Sequence, residues 1–216
     1  MIELLHMDCM EYMKECKDNA FDLAIVDPPY FDGPQKTGYY AGTKQITDVG
    51  VYETINSWEI VGQPYIDELV RVSKNQIIWG INYYDVSMPG GRIVWLKGEQ
   101  GSPFSQADIA YHSFYNRIDV FRCLWSGFWK DGKTKNETRI HPTQKPKALY
   151  DWLLDKYAKP TDRILDTHLG SGSSAIAAHY FGCGFVGMEI DKDYYDAAVK
   201  RFDDETAQLD LLADDR

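Results

Sequence analysis

The chain of 216 residues has no apolar run long enough to cross a membrane; its apolar runs are only strand length. Its first residues, MIELLHMDCMEYMKECKD, mix acids with apolar positions and lack the basic start and apolar centre of a secretory signal. Cysteine is scarce. Cys9, Cys16, Cys123 and Cys183 form no CxxC pair, so reduced thiols in a cytoplasmic protein are expected. The five histidines show no metal-ligand spacing with them, and no metal is expected. Positive charge is also short. A net charge of −10 argues against bulk, charge-driven nucleic-acid binding. The deficit is uneven: the tail after Phe202 holds six acids and one arginine, whereas Lys130 to Lys147 holds six Lys/Arg and two acids. A local basic stretch therefore sits on an acidic body.

What is present suffices for one domain with a smaller insertion. Apolar residues make up 44% of the chain, enough for a core. Strands are read near residues 2–6, 23–26, 76–81, 92–96, 163–166 and 185–189. Helices are read near 8–16, 58–72, 146–157, 173–181 and 193–202, with Pro146 suited to a first turn. Residues 31–57 read as a long loop, for which plain flexibility and closure of Tyr39, Tyr40 and Lys44 over a ligand are equal readings. Residues 106–128 carry β-like, aromatic-rich runs. The fold expected is α/β, an open, mostly parallel sheet with helices on both faces. Ligands bind such sheets beyond the carboxyl ends of the strands.

Two strand ends carry chemistry. In FDLAIVDPPYFDG an apolar strand stops at Asp27, Pro28, Pro29 and Tyr30. Simple strand termination is one reading of this. A planar base with an exocyclic amine gives each residue a task. Asp27 and the Pro28 carbonyl can accept the two N–H bonds and aim the nitrogen lone pair out of the ring plane. The prolines fix the backbone. Tyr30 can stack on the base. In ILDTHLGSGSSAIAA, Gly170, Ser171 and Gly172 form a tight turn between strand and helix, beginning at Asp166. Glu189 ends the next strand in GFVGMEID, where an acid can accept from ribose hydroxyls. A nicotinamide reading is weaker, because the third glycine of G-x-G-x-x-G is missing.

DPPY, IHPTQKP, LDTHLGSGS and GMEID together resemble the amino-group DNA methyltransferases that use S-adenosylmethionine. The motif order is similar to their permuted beta group, the compact length to phage and prophage members, and the family to enzymes of restriction-modification. The resemblance spans nearly the whole chain. It implies a single Rossmann-like methyltransferase domain over 1–216, with a small β-rich target-recognition region near 97–140 and an acidic tail over 203–216. It implies Asp27, Pro28, Pro29 and Tyr30 as catalytic. It implies Asp8, Asp27, His141, Thr143, Gln144, Lys145, Asp166, His168, Gly170, Ser171, Gly172, Glu189 and Asp191 around S-adenosyl-L-methionine. Asp8 would approach the cofactor adenine. Thr167-His168 departs from the Pro-Phe of many relatives, and His168 reads as a polar pocket residue rather than a base.

The partner implied is double-stranded DNA, with no membrane and with room for a homodimer. Arg117, Arg122, Lys130, Lys133, Lys135 and Arg139 are candidates for phosphate or base contacts. Trp125, Phe128 and Trp129 read as core. The expected activity is methylation of adenine N6 in DNA after base flipping. The alternatives are cytosine-N4 methylation on the same scaffold and a non-catalytic DNA-binding protein. Asp27 tilts towards adenine, because serine is frequent at that position among the cytosine enzymes.

Overall fold

The computed structural model describes residues 1–30, 60–98, 105–126, 129–130, 132 and 134–213. The loop expected over 31–57 and its Tyr39, Tyr40 and Lys44 lie outside the described residues, as do Phe128 and Lys133. The elements in chain order are β1 (Ile2–His6), α1 (Cys9–Glu15), β2 (Leu23–Val26), α2 (Gln63–Val72), β3 (Gln76–Trp79), β4 (Gly91–Leu96), β5 (Ala107–His112), β6 (Ile118–Arg122), β7 (Trp125–Ser126), β8 (Trp129–Lys130), α3 (Lys147–Tyr157), β9 (Arg163–Asp166), α4 (Ser173–Phe181), β10 (Gly184–Glu189) and α5 (Lys192–Ala213). A single 3-10 turn, Ile81–Tyr83, follows β3.

Eight strands form one sheet in the order β1-β10-β9-β2-β3-β5-β4-β6. Within it β5 alone is antiparallel to its neighbours, so the mostly parallel sheet is observed. Strand β2 is buried along its whole length and alternates between two cores. Leu23 and Ile25 pack with Leu149, Leu153, Ala175 and Ala198, which belong to α3, α4 and α5. Ala24 and Val26 pack with Met13, Tyr65, Ile66 and Leu69, which belong to α1 and α2. A strand covered on both faces must be apolar throughout, which is why Leu-Ala-Ile-Val shows no alternation. The chain leaves β2 towards β3 on one side and β9 towards β10 on the other. The order therefore reverses between β2 and β9, where a crevice opens beyond the strand ends.

Three boundaries differ from the sequence reading. Helix α2 starts at Gln63, not near residue 58, because Gly62 takes an extended conformation and Pro64 needs no hydrogen-bond acceptor in a first turn. Helix α5 does not end at Phe202. It runs to Ala213, and residues 203–213 of the expected acidic tail are helical. Lys200–Asp204 and Arg201–Glu205 pair one turn apart across that junction, so the acids support the helix. Residues 107–122, expected within a recognition insertion, instead complete the central sheet. All six residues of β5 pair with β4, and β6 adds in parallel on its far side. The half-buried alternation of β6 suits a sheet edge with one face on the core.

Candidate active site

The ladder of β2 ends at Val26, and beyond Asp27 come two prolines with no N–H to donate. Asp27 therefore stands at the carboxyl edge, next to the reversal in strand order. Its Oδ2 is ion-paired with Nζ of Lys145, and that lysine is almost entirely buried. Its Oδ1 is buried and has no hydrogen-bond partner among the described residues. Burial pushes the Asp27 carboxyl above the usual carboxylate range, and the Lys145 ammonium opposes the push. The ammonium also lies 5.5 Å from the centroid of Trp79. Tyr30 stacks on Tyr83, with ring centroids 4.8 Å apart and planes 5° from parallel.

The glycine turn faces this carboxylate. Asp166 is buried and serves as the brace of the turn. Its Oδ1 accepts from the His168 N–H at 3.1 Å, and its Oδ2 accepts from the Ser174 hydroxyl at 2.5 Å. Burial raises its carboxyl to about 7. Gly170 and Gly172 both have positive φ, 53° and 74°. A Cβ on Gly170 would point at the His141 ring, 3.8 Å away across the crevice, whereas one on Gly172 would press on Ala198. The first glycine thus keeps ligand space clear and the second lets the turn pack on α5. Glu189 accepts from the N–H of Gly170 at 2.9 Å and of Asp191 at 3.0 Å, one on each oxygen. Asp191 in turn accepts from the N–H groups of Asp193 and Tyr194 and starts α5.

The third wall is the 137–146 loop. Gln144 shapes it from within: its amide donates to Glu137 and Thr138 and accepts from Ile140, and its carbonyl accepts from Trp125 Nε1 at 2.6 Å. Arg201 of α5 donates to Glu137 Oε1, the Ser171 carbonyl and the Ser173 hydroxyl, each at 2.9 Å. This buried pair ties loop, glycine turn and α5 together. Burial raises Glu137, and Arg201 opposes it. Burial also lowers His141 and His168 to about 4, so both rings are neutral at physiological pH.

One cavity with about 800 Å³ of free space, its open mouth included, joins the three walls. An unsatisfied carboxylate oxygen, a glycine turn and an orienting acid thus share one chamber. Residues 106–200 match the family model described as DNA methylase. The chain is similar to the amino-group DNA methylases over that stretch. It is 26% identical to the type II methyltransferase M2.DpnII of Streptococcus pneumoniae over 94% of this chain and 90% of that one. It is 24% identical to the DNA adenine methyltransferase YhdJ of Escherichia coli K12, over 93% and 82% of the two chains. Its fold matches the M1.HpyAVI–SAM complex, with a TM-score of 0.58 and 20% identity over 93% of this chain and all of that one. It also matches the cytosine-N4-specific PvuII DNA methyltransferase, with a TM-score of 0.59 and 11% identity over 93% and 86%.

The fold brings most of the sequence-predicted site residues into this chamber. Asp27, Pro28, Pro29, Tyr30, His141, Thr143, Gln144, Lys145, His168, Gly170, Ser171, Glu189 and Asp191 line it. Asp8, Asp166 and Gly172 do not. Asp8 instead caps α1, its Oδ1 accepting from the N–H groups of Met10 and Glu11. Gln144 reaches the cavity, but its amide is engaged inside the loop rather than turned to a ligand. Tyr150, Ile190 and Tyr194 line the cavity unforeseen. So did the Lys145–Asp27 pair and the Glu137–Arg201 pair escape the sequence, because their partners are far apart in the chain. Only Ile190 and Tyr194 had a signal, their adjacency to Glu189 and Asp191.

Of the basic candidates, Arg117 sits at the amino end of β6, on the edge of the sheet opposite the cavity. It stacks on Tyr115 and faces Asp119, so its charge serves that cluster. Arg122 ends β6 on the cavity edge. Lys130 and Arg139 lie over the ring of Trp125, and Lys135 is exposed. Trp125 is buried, as its core reading expected. Among the described residues no helix is long and apolar enough to cross a membrane.

Proposed function

We propose that this protein transfers a methyl group from S-adenosylmethionine to the exocyclic N6 of adenine in double-stranded DNA, with the base turned out of the duplex. The observation that carries the reading is the Asp27 carboxylate. One oxygen is held by Lys145, and the other is buried, without a partner among the described residues, in the chamber that holds the glycine turn.

The chamber fits the cofactor. Gly170 leaves its space open and Glu189 is oriented by two backbone N–H groups. A carboxylate oxygen has lone pairs to spare for ribose hydroxyls. When bound, S-adenosylmethionine supplies an electrophilic methyl on a sulfonium. The residues of the chain do the rest. An aromatic amine is a poor nucleophile while its lone pair is delocalised into the ring. Asp27 Oδ1 and the Pro28 carbonyl accept its two N–H bonds and favour a tetrahedral nitrogen. The Lys145 ammonium opposes the upward push of burial on Asp27 and so favours its anionic form. The proton released from the methylated amine then passes to Asp27. Tyr30 offers a stacking surface of about 1–3 kcal/mol, which offsets part of the few kcal/mol that base extrusion costs. Arg122, Lys130, Lys135 and Arg139 are the cations we assign to the DNA backbone near the cavity.

Adenine is favoured by Asp27 itself and by the adenine methyltransferase among the relatives. Cytosine N4 is the second reading, supported by the likeness to the PvuII enzyme. The test is direct. The protein is incubated with unmethylated DNA and isotopically labelled S-adenosylmethionine, and the digested nucleosides are identified by mass spectrometry. Labelled N6-methyladenine is expected. Labelled N4-methylcytosine moves the target, and no label on diverse DNA overturns the reading.

A further inference from the structure

The turn that follows β3 touches the catalytic segment at three points. Gly80 has φ 71°, and a Cβ there would lie 2.2 Å from Cδ1 of Tyr30. Tyr83 stacks on the Tyr30 ring. Tyr84, buried, donates its hydroxyl to the Pro28 carbonyl at 2.7 Å, with the Pro29 carbonyl 3.3 Å away. The last contact bears on chemistry. The β2 ladder stops at Val26, and neither Pro28 nor Pro29 has an N–H through which a sheet partner could hold its peptide unit. A side-chain donor is therefore what orients the Pro28 carbonyl.

We infer that Tyr84 is a positioning residue for methyl transfer: its hydroxyl takes one lone pair of the Pro28 carbonyl and aims the other at the target amine. The inference rests on the reading under Proposed function. A carbonyl oxygen has two acceptor sites, so both donors fit at once. Burial and the nearby Asp27 charge hold the Tyr84 phenol well above its usual range, so it remains a donor throughout the working pH. Tyr84 touches neither proton nor methyl in transit. It acts through the direction of the carbonyl, which matters most as the nitrogen becomes tetrahedral.

The test is single-turnover methyl transfer by full-length wild type and Tyr84→Phe, with saturating DNA and labelled S-adenosylmethionine. The rate is expected to fall about tenfold, while the cofactor dissociation constant by calorimetry stays within twofold. A rate within twofold of wild type overturns the inference and leaves the proposed function standing. A wild type that labels no DNA overturns both. Should Tyr84→Phe fail to fold, 3,5-difluorotyrosine at position 84 keeps the ring and makes the phenol more acidic. An alkaline limb absent from wild type should then enter the rate–pH profile as the donor ionises. A profile that does not move overturns the inference.

Discussion

Lys145→Met would remove the ammonium from Asp27 and leave a side chain of similar length. The ion pair is buried on both sides, with 4% and 17% of the two side chains exposed. At an effective dielectric of about 20, unit charges about 4 Å apart attract by about 4 kcal/mol. Removing one member of a buried pair costs about 3–5 kcal/mol for the same reason. A third of that attraction, about 1.4 kcal/mol, is enough to lower the ionised population of Asp27 relative to the protonated one about tenfold. Burial already pushes this carboxyl up and Lys145 opposes it, so deleting Lys145 moves the titration further up. A protonated Asp27 is a weaker acceptor and cannot receive the product proton. The acid limb of the single-turnover rate is therefore expected to move to higher pH and the rate below it to fall. Calorimetry with the cofactor separates this from weakened binding. A variant with an unmoved acid limb, and a rate at pH 7 within twofold of wild type, refutes the electrostatic role.

Four further outcomes follow from the same geometry. Asp27→Ala is expected to abolish methyl transfer while cofactor binding persists; near wild-type turnover would contradict the assigned mechanism. Glu189→Ala is expected to raise the cofactor dissociation constant about tenfold or more, by losing the oriented acceptor; an unchanged constant in calorimetry would remove the acid from the site. The Asp166 carboxyl is raised to about 7 when folded, above the ordinary 3.8 of the unfolded chain. Its favourable contribution is full below about pH 4 and is lost as pH rises through about 7. Asp166→Asn should cancel a pH-dependent loss on the order of 4 kcal/mol in denaturant titrations, and equal slopes in both proteins would exclude it. Arg201→Met leaves Glu137 buried without its cation and should cost about 3–5 kcal/mol of stability; a thermal midpoint equal to wild type would show the pair to be dispensable.

Much of this protein was legible without coordinates. Apolar Leu23–Val26 between Asp22 and Asp27 reads as a buried strand, and the structure covers it on both faces, with the prolines beyond it outside the ladder. Gly170 and Gly172 marked a turn, and its helix spans Ser173–Phe181 as the sequence predicts. The parallel order then brings the ends of β2, β9 and β10 to one edge, so Asp27 and Glu189 had to meet near a common ligand. Tertiary structure decided the rest, because it depends on contacts between residues distant in sequence. Whether 107–122 formed an insertion or the end of the sheet depended on which strand β4 would accept as a neighbour. The place of Arg117 depended on the direction of β6. Strand patterning names faces and ends but not sheet order. Above all, Asp27 is paired with Lys145, 118 residues away, and the Pro28 carbonyl with the Tyr84 hydroxyl, 56 residues away. Local sequence determined which groups could do the chemistry. Only the packing of the sheet, which excludes water and brings a cation and a hydroxyl to them, decided the surroundings in which those groups are charged and aimed.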